Sequence, residues 1–177
     1  MSRSQEVKWK ISLSIALLAT ALFSQDEIAK TTVINIGDTL PSFSVTTIDG
    51  KILNSGDLIG KVMIVAFFTM WCGSCDEEMP RIETDIWQKY RNNGLAILAV
   101  GREHKAEELI KYAQERGFTF PIAPDPERKV YNLFASRQIP RAFLVDKTGK
   151  IIDQTCGFDE EEFGRLTAAV KEALEGK

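Results

Sequence analysis

The sequence predicts an α/β fold in which a central mixed β-sheet is covered by helices on both faces. Two apolar runs, Val62–Phe68 and residues 95–100, are too short for good helices and are typical of strands buried on both faces. Amphipathic patterns with helical spacing alternate with these runs along the chain. Such alternation indicates strands connected by helices, so we expect helices packed on the sheet.

The first element in chain order is an N-terminal stretch with the layout of a secretory signal peptide. Basic residues within the first ten positions precede an uncharged stretch over residues 11–23, and polar residues 24–27 follow it. This stretch is shorter than the roughly 20 apolar residues that a membrane-spanning helix needs. We therefore predict that residues 1–24 are a signal peptide, cleaved after Ala21 or Ser24, and that the product is periplasmic or otherwise extracytoplasmic. Contact with a membrane is expected only during export.

Residues 33–177 are predicted to form one domain, because no linker, repeat or low-complexity tract divides them. A small β-hairpin is expected near the start of this domain, where Asp49-Gly50 separates two stretches of alternating apolar residues. The later elements are predicted in this order: a helix from the cysteine pair to about residue 92, a charged helix over 105–116, a strand over 118–123, a short helix opened by residues 124–127, strands over 142–145 and 150–155 around a turn, and a closing helix over 160–174.

The composition is that of an ordinary soluble globular protein. Of the 177 residues, 44% are hydrophobic and 27% are charged, and the formal net charge is -3. These values show no collagen-like, disordered or repeat signature. No cluster of Lys and Arg lies on a predicted helix face, so the electrostatic footprint of a nucleic-acid-binding protein is missing. We expect no nucleic-acid partner.

Cys72 and Cys75 form a Cys-x-x-Cys pair directly after a predicted buried strand and directly before a predicted helix. Cys72 then lies at a helix N-terminus, where unpaired N–H groups and the helix dipole stabilise a thiolate. Cysteine pKa values fall to roughly 3.5–7.5 in such settings, against about 8.5 for a free thiol. We predict that Cys72 is the attacking nucleophile and that Cys75 resolves the mixed disulfide formed at Cys72.

The cysteine pair has two other interpretations. A zinc site needs four Cys, His or carboxylate ligands, but the chain has one further cysteine, Cys156, and one histidine, His104. A purely structural disulfide across four residues would constrain almost nothing. We therefore expect no metal site and no cofactor. His104 is expected at the solvated surface, and Cys156 as a small buried apolar residue on a strand.

The sequence around the cysteine pair resembles a known family. Residues 67–75 read Phe-Phe-Thr-Met-Trp-Cys-Gly-Ser-Cys, Glu78-Met79-Pro80 follows them, and Ile139-Pro140 precedes the segment Phe-Leu-Val-Asp-Lys-Thr-Gly-Lys at 143–150. These motifs resemble the thioredoxin superfamily, and more narrowly the TlpA/ResA-like extracytoplasmic reductases. The resemblance implies a thioredoxin-like fold, a cis peptide before Pro140 opposite the cysteines, and reversible dithiol–disulfide exchange with protein substrates.

The resemblance also implies a catalytic role for Glu78. Thioredoxins usually carry a buried Asp at the position that aligns with Ala66, so that proton acceptor is missing here. The resembling extracytoplasmic reductases use a glutamate at the position of Glu78. The alternative is a plain first-turn acid that the helix dipole favours, like Asp76 and Glu77.

Three residues are candidate substrate contacts. The backbone of Ile139, next to the implied cis-proline, is expected to offer an edge to an extended substrate segment. Trp71 precedes the first cysteine and is expected to shield the disulfide and contact partners. Arg141 stands where these families often show threonine, so the identity of the substrate is not implied by the resemblance.

The resemblance implies that the protein reduces disulfides in exported proteins, including clients of cytochrome c maturation. A membrane thiol carrier is then implied to reduce the oxidised cysteine pair again. Spacing alone does not set the direction, because the reduction potentials of such pairs span roughly -270 to -120 mV. Two alternatives stay open. Thr69, three residues before Cys72, suggests a peroxiredoxin-like peroxidase, although Val65 stands where such a peroxidase carries proline. The other alternative is a non-catalytic module that carries copper on Cys72 and Cys75 or binds a partner.

Overall fold

The computed structural model describes residues 28–176, which form two β-sheets and three helices of nine or more residues. In chain order the main elements are β1 (Ser44–Thr46), β2 (Ile52–Asn54), β3 (Val62–Phe68), α1 (Gly73–Arg81), β4 (Leu95–Arg102), α2 (Ala106–Arg116), β5 (Ile122–Asp125), β6 (Arg141–Val145), β7 (Ile151–Cys156) and α3 (Glu160–Glu175). Short 3-10 helices lie at Ser55–Leu58 and Tyr131–Leu133. No helix in this part of the chain combines the length and the apolar character needed to cross a membrane.

The central sheet has five strands in the order β5-β4-β3-β6-β7. Strands β3, β4 and β5 are parallel, whereas β6 and β7 are antiparallel to their neighbours, so the predicted mixed sheet is confirmed. The register pairs Phe68 with Gly101 and Phe67 with Arg141. The carboxyl end of β3 therefore lies between the end of β4 and the start of β6. The N-terminal hairpin is confirmed as β1 and β2, with the left-handed Gly50 (φ 81°) at its turn.

The three long helices all pack on one face of the sheet, which differs from the expected cover of both faces by helices. Their buried residues form one core with alternate residues of β3, such as Ile64 and Phe68. The physical reason is the handedness of the connections. The order β3-β4-β5 runs in one direction, and two right-handed crossovers in the same direction place α1 and α2 on the same side. The other face is covered by residues 34–45 and by the turn Tyr131–Leu133.

The helix that follows the cysteine pair extends to residue 93, as its apolar spacing predicts, but it is not uniform. After α1 the chain continues through a π-helical turn, Ile82–Trp87, the helical turn Gln88–Tyr90 and the 3-10 turn Arg91–Asn93. The wide turn follows Pro80, which has no N–H to donate to the turn before it. A pattern with a period near 3.6 cannot predict this change of pitch.

Two predicted elements are shorter or later in the structure. The strand expected over 118–123 begins only at Ile122, because the N–H of Phe118 closes α2 and the N–H of Thr119 donates to the buried carboxylate of Glu83. The expected short helix after residue 127 is the single 3-10 turn Tyr131–Leu133. The carboxylate of Asp125 accepts the N–H groups that open this turn.

Candidate active site

Cys72 and Cys75 lie where the chain leaves β3 and enters α1. Cys72 is the N-cap residue, and its Sγ accepts a hydrogen bond from the N–H of Cys75 at 3.1 Å. The two sulfurs are joined in a disulfide, with Cα atoms 5.2 Å apart. The first N–H groups of a helix have no partner inside it, so this position exposes the sulfur of Cys72 to the donor end of α1. The arrangement of strand, cysteine pair and helix is the one that the sequence predicts.

The two sulfurs differ in accessibility. Cys75 is completely buried against the core between α1 and the sheet, whereas Cys72 is half-buried. The neighbouring Trp71 is 64% exposed. An incoming sulfur atom therefore meets Cys72 first, and Cys75 is reached only through the sulfur of Cys72. This difference supports the predicted roles of attacking and resolving thiol.

The segment before β6 lies beside the carboxyl end of β3. Its Ile139–Pro140 peptide is cis, as the family resemblance implies. Because Phe67 pairs with Arg141, the antiparallel register carries Pro140 alongside the end of β3, from which Cys72 follows four residues after Phe68. Ile139 is half-buried and packs against the buried apolar residues on both faces of the central sheet. The position agrees with the expected substrate edge, while contact with a substrate stays a prediction.

Glu78 is a buried carboxyl group one helical turn after Cys75. Its side chain is 2% exposed, and its Oε2 atom has no hydrogen-bond partner. Burial, and to a smaller extent the negative charge of Glu162, raise the pKa of Glu78 to about 8. Cys75, Glu78 and Met79 are the buried residues of α1, so the carboxyl group shares the inner face of the helix with the second sulfur. The group can take up or release a proton near neutral pH.

The neighbouring acid Asp76 shows what an ordinary first-turn acid looks like on this helix. Its Oδ1 accepts hydrogen bonds from the hydroxyl of Tyr112 at 3.1 Å and from the guanidinium of Arg116 at 2.8 Å. Within residues 28–176, no cation forms an ion pair of this kind with Glu78. The environment of Glu78 therefore argues against the alternative interpretation of this residue as a plain first-turn acid.

Glu162 is a residue of this site that sequence analysis missed. It lies in the first turn of α3, and burial raises its own pKa. The start of α3 is held against α1 by the ion pair between Arg81 Nη1 and Glu160 Oε1 at 2.7 Å. Arg81 also lies over the ring of Phe163, 4.8 Å from its centroid. Only the packing of α3 on α1 brings Glu162 near the site, and no local sequence signal reports it.

His104 is not at the solvated surface, and that prediction is wrong. Its side chain is 1% exposed, because it is packed under the indole of Trp71, with ring centroids 4.4 Å apart. Its Nε2 accepts a hydrogen bond from the N–H of Met70 at 2.9 Å. The charged residues around it in sequence suggested solvent, but a contact between residues 34 positions apart removes it from water.

Arg141 is also buried, so its side chain does not offer a substrate contact at the surface. It is 1% exposed, and its guanidinium donates to Thr32 Oγ1 at 2.7 Å, Thr31 Oγ1 at 2.8 Å and Gln138 Oε1 at 3.2 Å. The side chain therefore fixes the segment before β1 to the loop that carries Pro140. Its partners are remote in sequence, which is why the sequence did not reveal this role.

The third cysteine lies at the end of β7, opposite Arg141 in the strand register. Cys156 is half-buried rather than fully buried as expected, and its Sγ lies 3.4 Å from Gln138 Oε1. Burial raises the pKa of this thiol. Within residues 28–176, no group of three or more His, Cys, Asp and Glu side chains is placed to hold a metal ion.

Comparison with known proteins gives matches over most of the chain. Residues 36–154 match the model of the AhpC/TSA family. The chain is 32% identical over 127 residues to the thiol-disulfide oxidoreductase ResA of Bacillus thuringiensis, covering 72% of this chain and 73% of that protein. It is 29% identical to ResA of Geobacillus kaustophilus over 97% of this chain and 99% of that protein.

Comparison with solved structures also finds proteins of disulfide chemistry with a similar fold. A putative protein disulfide isomerase from Bacteroides thetaiotaomicron superimposes with a TM-score of 0.79 and 35% identity, over 82% of this chain and 93% of that one. A putative thiol:disulfide interchange protein DsbE from Chlorobium tepidum has a TM-score of 0.70 and 26% identity, over 80% of this chain and 99% of that one.

Proposed function

This chain belongs to the AhpC/TSA family within the thioredoxin superfamily and is a thiol–disulfide oxidoreductase, and we propose that its Cys72/Cys75 pair reduces disulfides of exported proteins. The observation that carries the proposal is the arrangement of the two sulfurs at the start of α1, one accessible and one buried. The thioredoxin-like fold predicted from the sequence is confirmed.

In the proposed reaction, the reduced protein begins with a thiolate at Cys72. This thiolate attacks one sulfur of the substrate disulfide, forms a mixed disulfide and expels the other substrate sulfur as a thiolate. Cys75 then attacks the sulfur of Cys72, which forms the Cys72–Cys75 disulfide and releases the second substrate thiolate. Two electrons pass to the substrate, and its two thiolates are protonated by the proton released from Cys75 and by one proton from solvent. The N-terminal end of α1 favours the Cys72 anion at the start of this reaction, and again when the Cys72–Cys75 disulfide is reduced at Cys75 and Cys72 leaves.

Glu78 is proposed to take the proton from Cys75 in the second step. A completely buried thiol resists ionisation, because burial disfavours the thiolate, so a nearby base lowers the barrier. With its pKa raised to about 8 by burial, Glu78 is largely protonated at pH 7, and its basic fraction grows as the pH rises through that value. The resolving step should therefore become faster between pH 7 and pH 9.

The assignment of the two thiols is tested by reduction of insulin with dithiothreitol as electron donor. We expect the wild-type protein and the control Cys156→Ser to accelerate the reaction, and Cys72→Ser and Cys75→Ser to leave it at the uncatalysed rate. Cys75→Ser should accumulate a mixed disulfide with the substrate, visible by mass, whereas Cys72→Ser should not. Full activity of Cys72→Ser would overturn the proposal.

The direction of electron flow is tested by equilibrating the protein with glutathione redox buffers. A reductant should have a potential near that of thioredoxin, about -270 mV, and an oxidant one near about -120 mV. We propose the lower value. A potential at the upper end would leave the exchange chemistry in place and reverse its physiological direction.

We further propose that the protein works outside the cytoplasm after removal of residues 1–24, which lie outside the described residues. Each turnover leaves Cys72 and Cys75 oxidised, so a membrane thiol carrier is proposed to return two electrons to the pair. Clients of cytochrome c maturation are the proposed substrates. N-terminal sequencing of the protein from a cell-envelope fraction should find Leu22 or Gln25 first, and trapping with Cys75→Ser in those cells should capture a disulfide-containing client.

Peroxide reduction is the second activity to be tested, because the matched family model is named AhpC/TSA and the hydroxyl of Thr69 is buried without a hydrogen-bond partner. The close disulfide between Cys72 and Cys75 favours exchange with another disulfide. Turnover of hydrogen peroxide at a rate comparable to insulin reduction would favour the peroxidase. Titration of the reduced protein with copper tests the other alternative, a non-catalytic copper carrier. Copper binding at Cys72 and Cys75 without insulin reduction would favour it.

A further inference from the structure

The backbone that leads into Cys72 rests on a buried histidine from the neighbouring strand. The N–H of Met70 donates to His104 Nε2 at 2.9 Å, and the ring of Trp71 is tilted by 59° over the imidazole at a centroid distance of 4.4 Å. His104 itself is 1% exposed. The two residues immediately before Cys72 are thus held by one side chain, Met70 through its backbone and Trp71 through its ring.

The fold fixes this histidine rigidly. Strands β3 and β4 are parallel and pair Phe68 with Gly101, so the connections that leave both strands begin side by side. After Arg102 the chain turns sharply at Glu103, which has a left-handed backbone (φ 66°), and the N–H of His104 donates to the carbonyl of Gly101 at 3.3 Å. Helix α2 begins two residues later. The imidazole therefore has little freedom to follow a displaced Met70.

The contact requires a neutral ring with its proton on Nδ1. An imidazolium has N–H groups at both nitrogens and cannot accept the hydrogen bond of Met70. Burial lowers the pKa of His104, while the carboxylates of Glu108 on α2 and Glu103 at the end of β4 oppose this by favouring the charged ring. Nδ1 lies 3.7 Å from Glu108 Oε2 and has no hydrogen-bond partner. Burial dominates, so the acceptor form is present at neutral pH.

We propose that His104 is a positioning residue for Cys72, because its unprotonated Nε2 anchors Met70 and its ring supports Trp71, and that protonation of the imidazole releases this anchor. The inference rests on the proposed function only where it takes Cys72 as the attacking thiol. Release of the anchor moves the segment that ends at Cys72, and so weakens the alignment of its sulfur with the first N–H groups of α1. Acid conditions then slow the attack by more than the titration of the thiol alone.

Two substitutions separate the acceptor from the ring. His104→Gln keeps an acceptor near the position of Nε2 and does not titrate. His104→Phe keeps a ring under Trp71 and loses the acceptor, which leaves the N–H of Met70 without this partner. Glu108→Gln is the matched control. It removes a negative charge beside the imidazole and keeps the hydrogen bond from the N–H of Met70 to His104 Nε2.

The readout is alkylation of Cys72 by iodoacetamide in the reduced full-length protein from pH 4.5 to 8, measured peptide by peptide by mass spectrometry. At pH 7.5 we expect His104→Phe to react about tenfold more slowly than wild type, from the loss of the hydrogen bond between Met70 and His104, and His104→Gln to react within about twofold of wild type. Below pH 6.5 the wild-type rate should fall relative to that of His104→Gln. In Glu108→Gln this fall should begin at a lower pH, because a charge that favours the imidazolium is gone.

NMR supplies a signature that a merely structural role would not move. The amide proton of Met70 should titrate with the wild-type imidazole and should not titrate in His104→Gln. Equal rates for wild type and His104→Phe, or His104→Gln as slow as His104→Phe, would overturn the proposal. If His104→Phe does not fold, an acid-dependent loss in His104→Gln equal to that of wild type overturns it instead. Alkylation needs no protein substrate, so a failure in insulin reduction contradicts the proposed function alone.

Discussion

The start of α1 and the end of β7 each carry cysteine sulfur, in opposite surroundings. At the start of α1, Cys72 accepts an N–H of the helix and is accessible beside an exposed indole. At the end of β7, Cys156 faces an amide oxygen of Gln138, and burial raises the pKa of its thiol. A helix N-terminus stabilises an anion and a strand end does not. From this comparison we expect Cys72 to be the reactive thiol and Cys156 the inert one, because the helix start and the burial of Cys156 act in opposite directions on the two thiolates.

The largest effect expected from this comparison is a difference in thiol reactivity. In the reduced protein at pH 6, iodoacetamide should label Cys72 at least about a hundredfold faster than Cys156, because helix-start cysteines have pKa values of roughly 3.5–7.5. Peptide mass spectrometry measures both rates in one sample. Faster labelling of Cys156 or of Cys75 than of Cys72 would contradict the expectation that Cys72 is the most reactive of the three thiols.

A second prediction concerns the proton acceptor beside the buried sulfur. Glu78→Gln keeps the shape of the side chain and removes its titration, so the exchange rate should fall by about tenfold or more. The increase in rate expected between pH 7 and pH 9 should also disappear. Glu77→Gln, at an exposed position on the same helix turn, is the matched control and should behave as wild type. An unchanged pH profile in Glu78→Gln would make this residue a passive part of the core.

The same substitution has a predictable effect on stability. The folded state raises the pKa of Glu78 from 4.5 to about 8, so folding favours the protonated form. Its contribution to stability is complete below pH 4.5 and is lost as the pH rises through about 8. Glu78→Gln should therefore become more stable than wild type at pH 8.5, on the order of a few kcal/mol. Urea unfolding at pH 5 and pH 8.5 measures the difference, and equal pH dependence in both proteins would contradict it.

The smallest effect is expected at the end of β7. Cys156→Ala should leave insulin reduction within about twofold of wild type and cost about 1 kcal/mol of stability, because it removes one half-buried sulfur and its weak hydrogen bond. Rate and urea midpoint can be measured on the same preparation. A large loss of activity would show that the third cysteine takes part in exchange.

The sequence predicts those parts of the site whose residues contact neighbours that are also close in the chain. Cys72 and Cys75 follow a buried strand directly and open a helix, so their neighbours in space are their neighbours in sequence. The cis peptide before Pro140 and the catalytic role of Glu78 are implied by the family resemblance and by no local pattern. The burial of Glu78 agrees with the helical offset of three from Cys75, which places both on one face of α1.

The parts that sequence did not predict depend on contacts between distant segments. His104 has charged neighbours in sequence and lies under Trp71 in the fold. Arg141 has its partners before β1, and Glu162 approaches Glu78 only when α3 packs on α1. The late start of β5 likewise follows from a hydrogen bond between Thr119 and Glu83. A strand or helix pattern carries no information about such pairs, because they are decided by topology.

The buried guanidinium of Arg141 sets a practical limit on how far the protein can be trimmed. The predicted domain began at residue 33, yet Arg141 donates to the hydroxyls of Thr31 and Thr32 and to the carbonyl of Ile28. A chain that starts at residue 33 would remove three acceptors of this buried guanidinium and leave it with those of Arg137 and Gln138, and buried donors that lose their acceptors are costly. A shortened protein for crystallisation or NMR should therefore begin at or before Ile28.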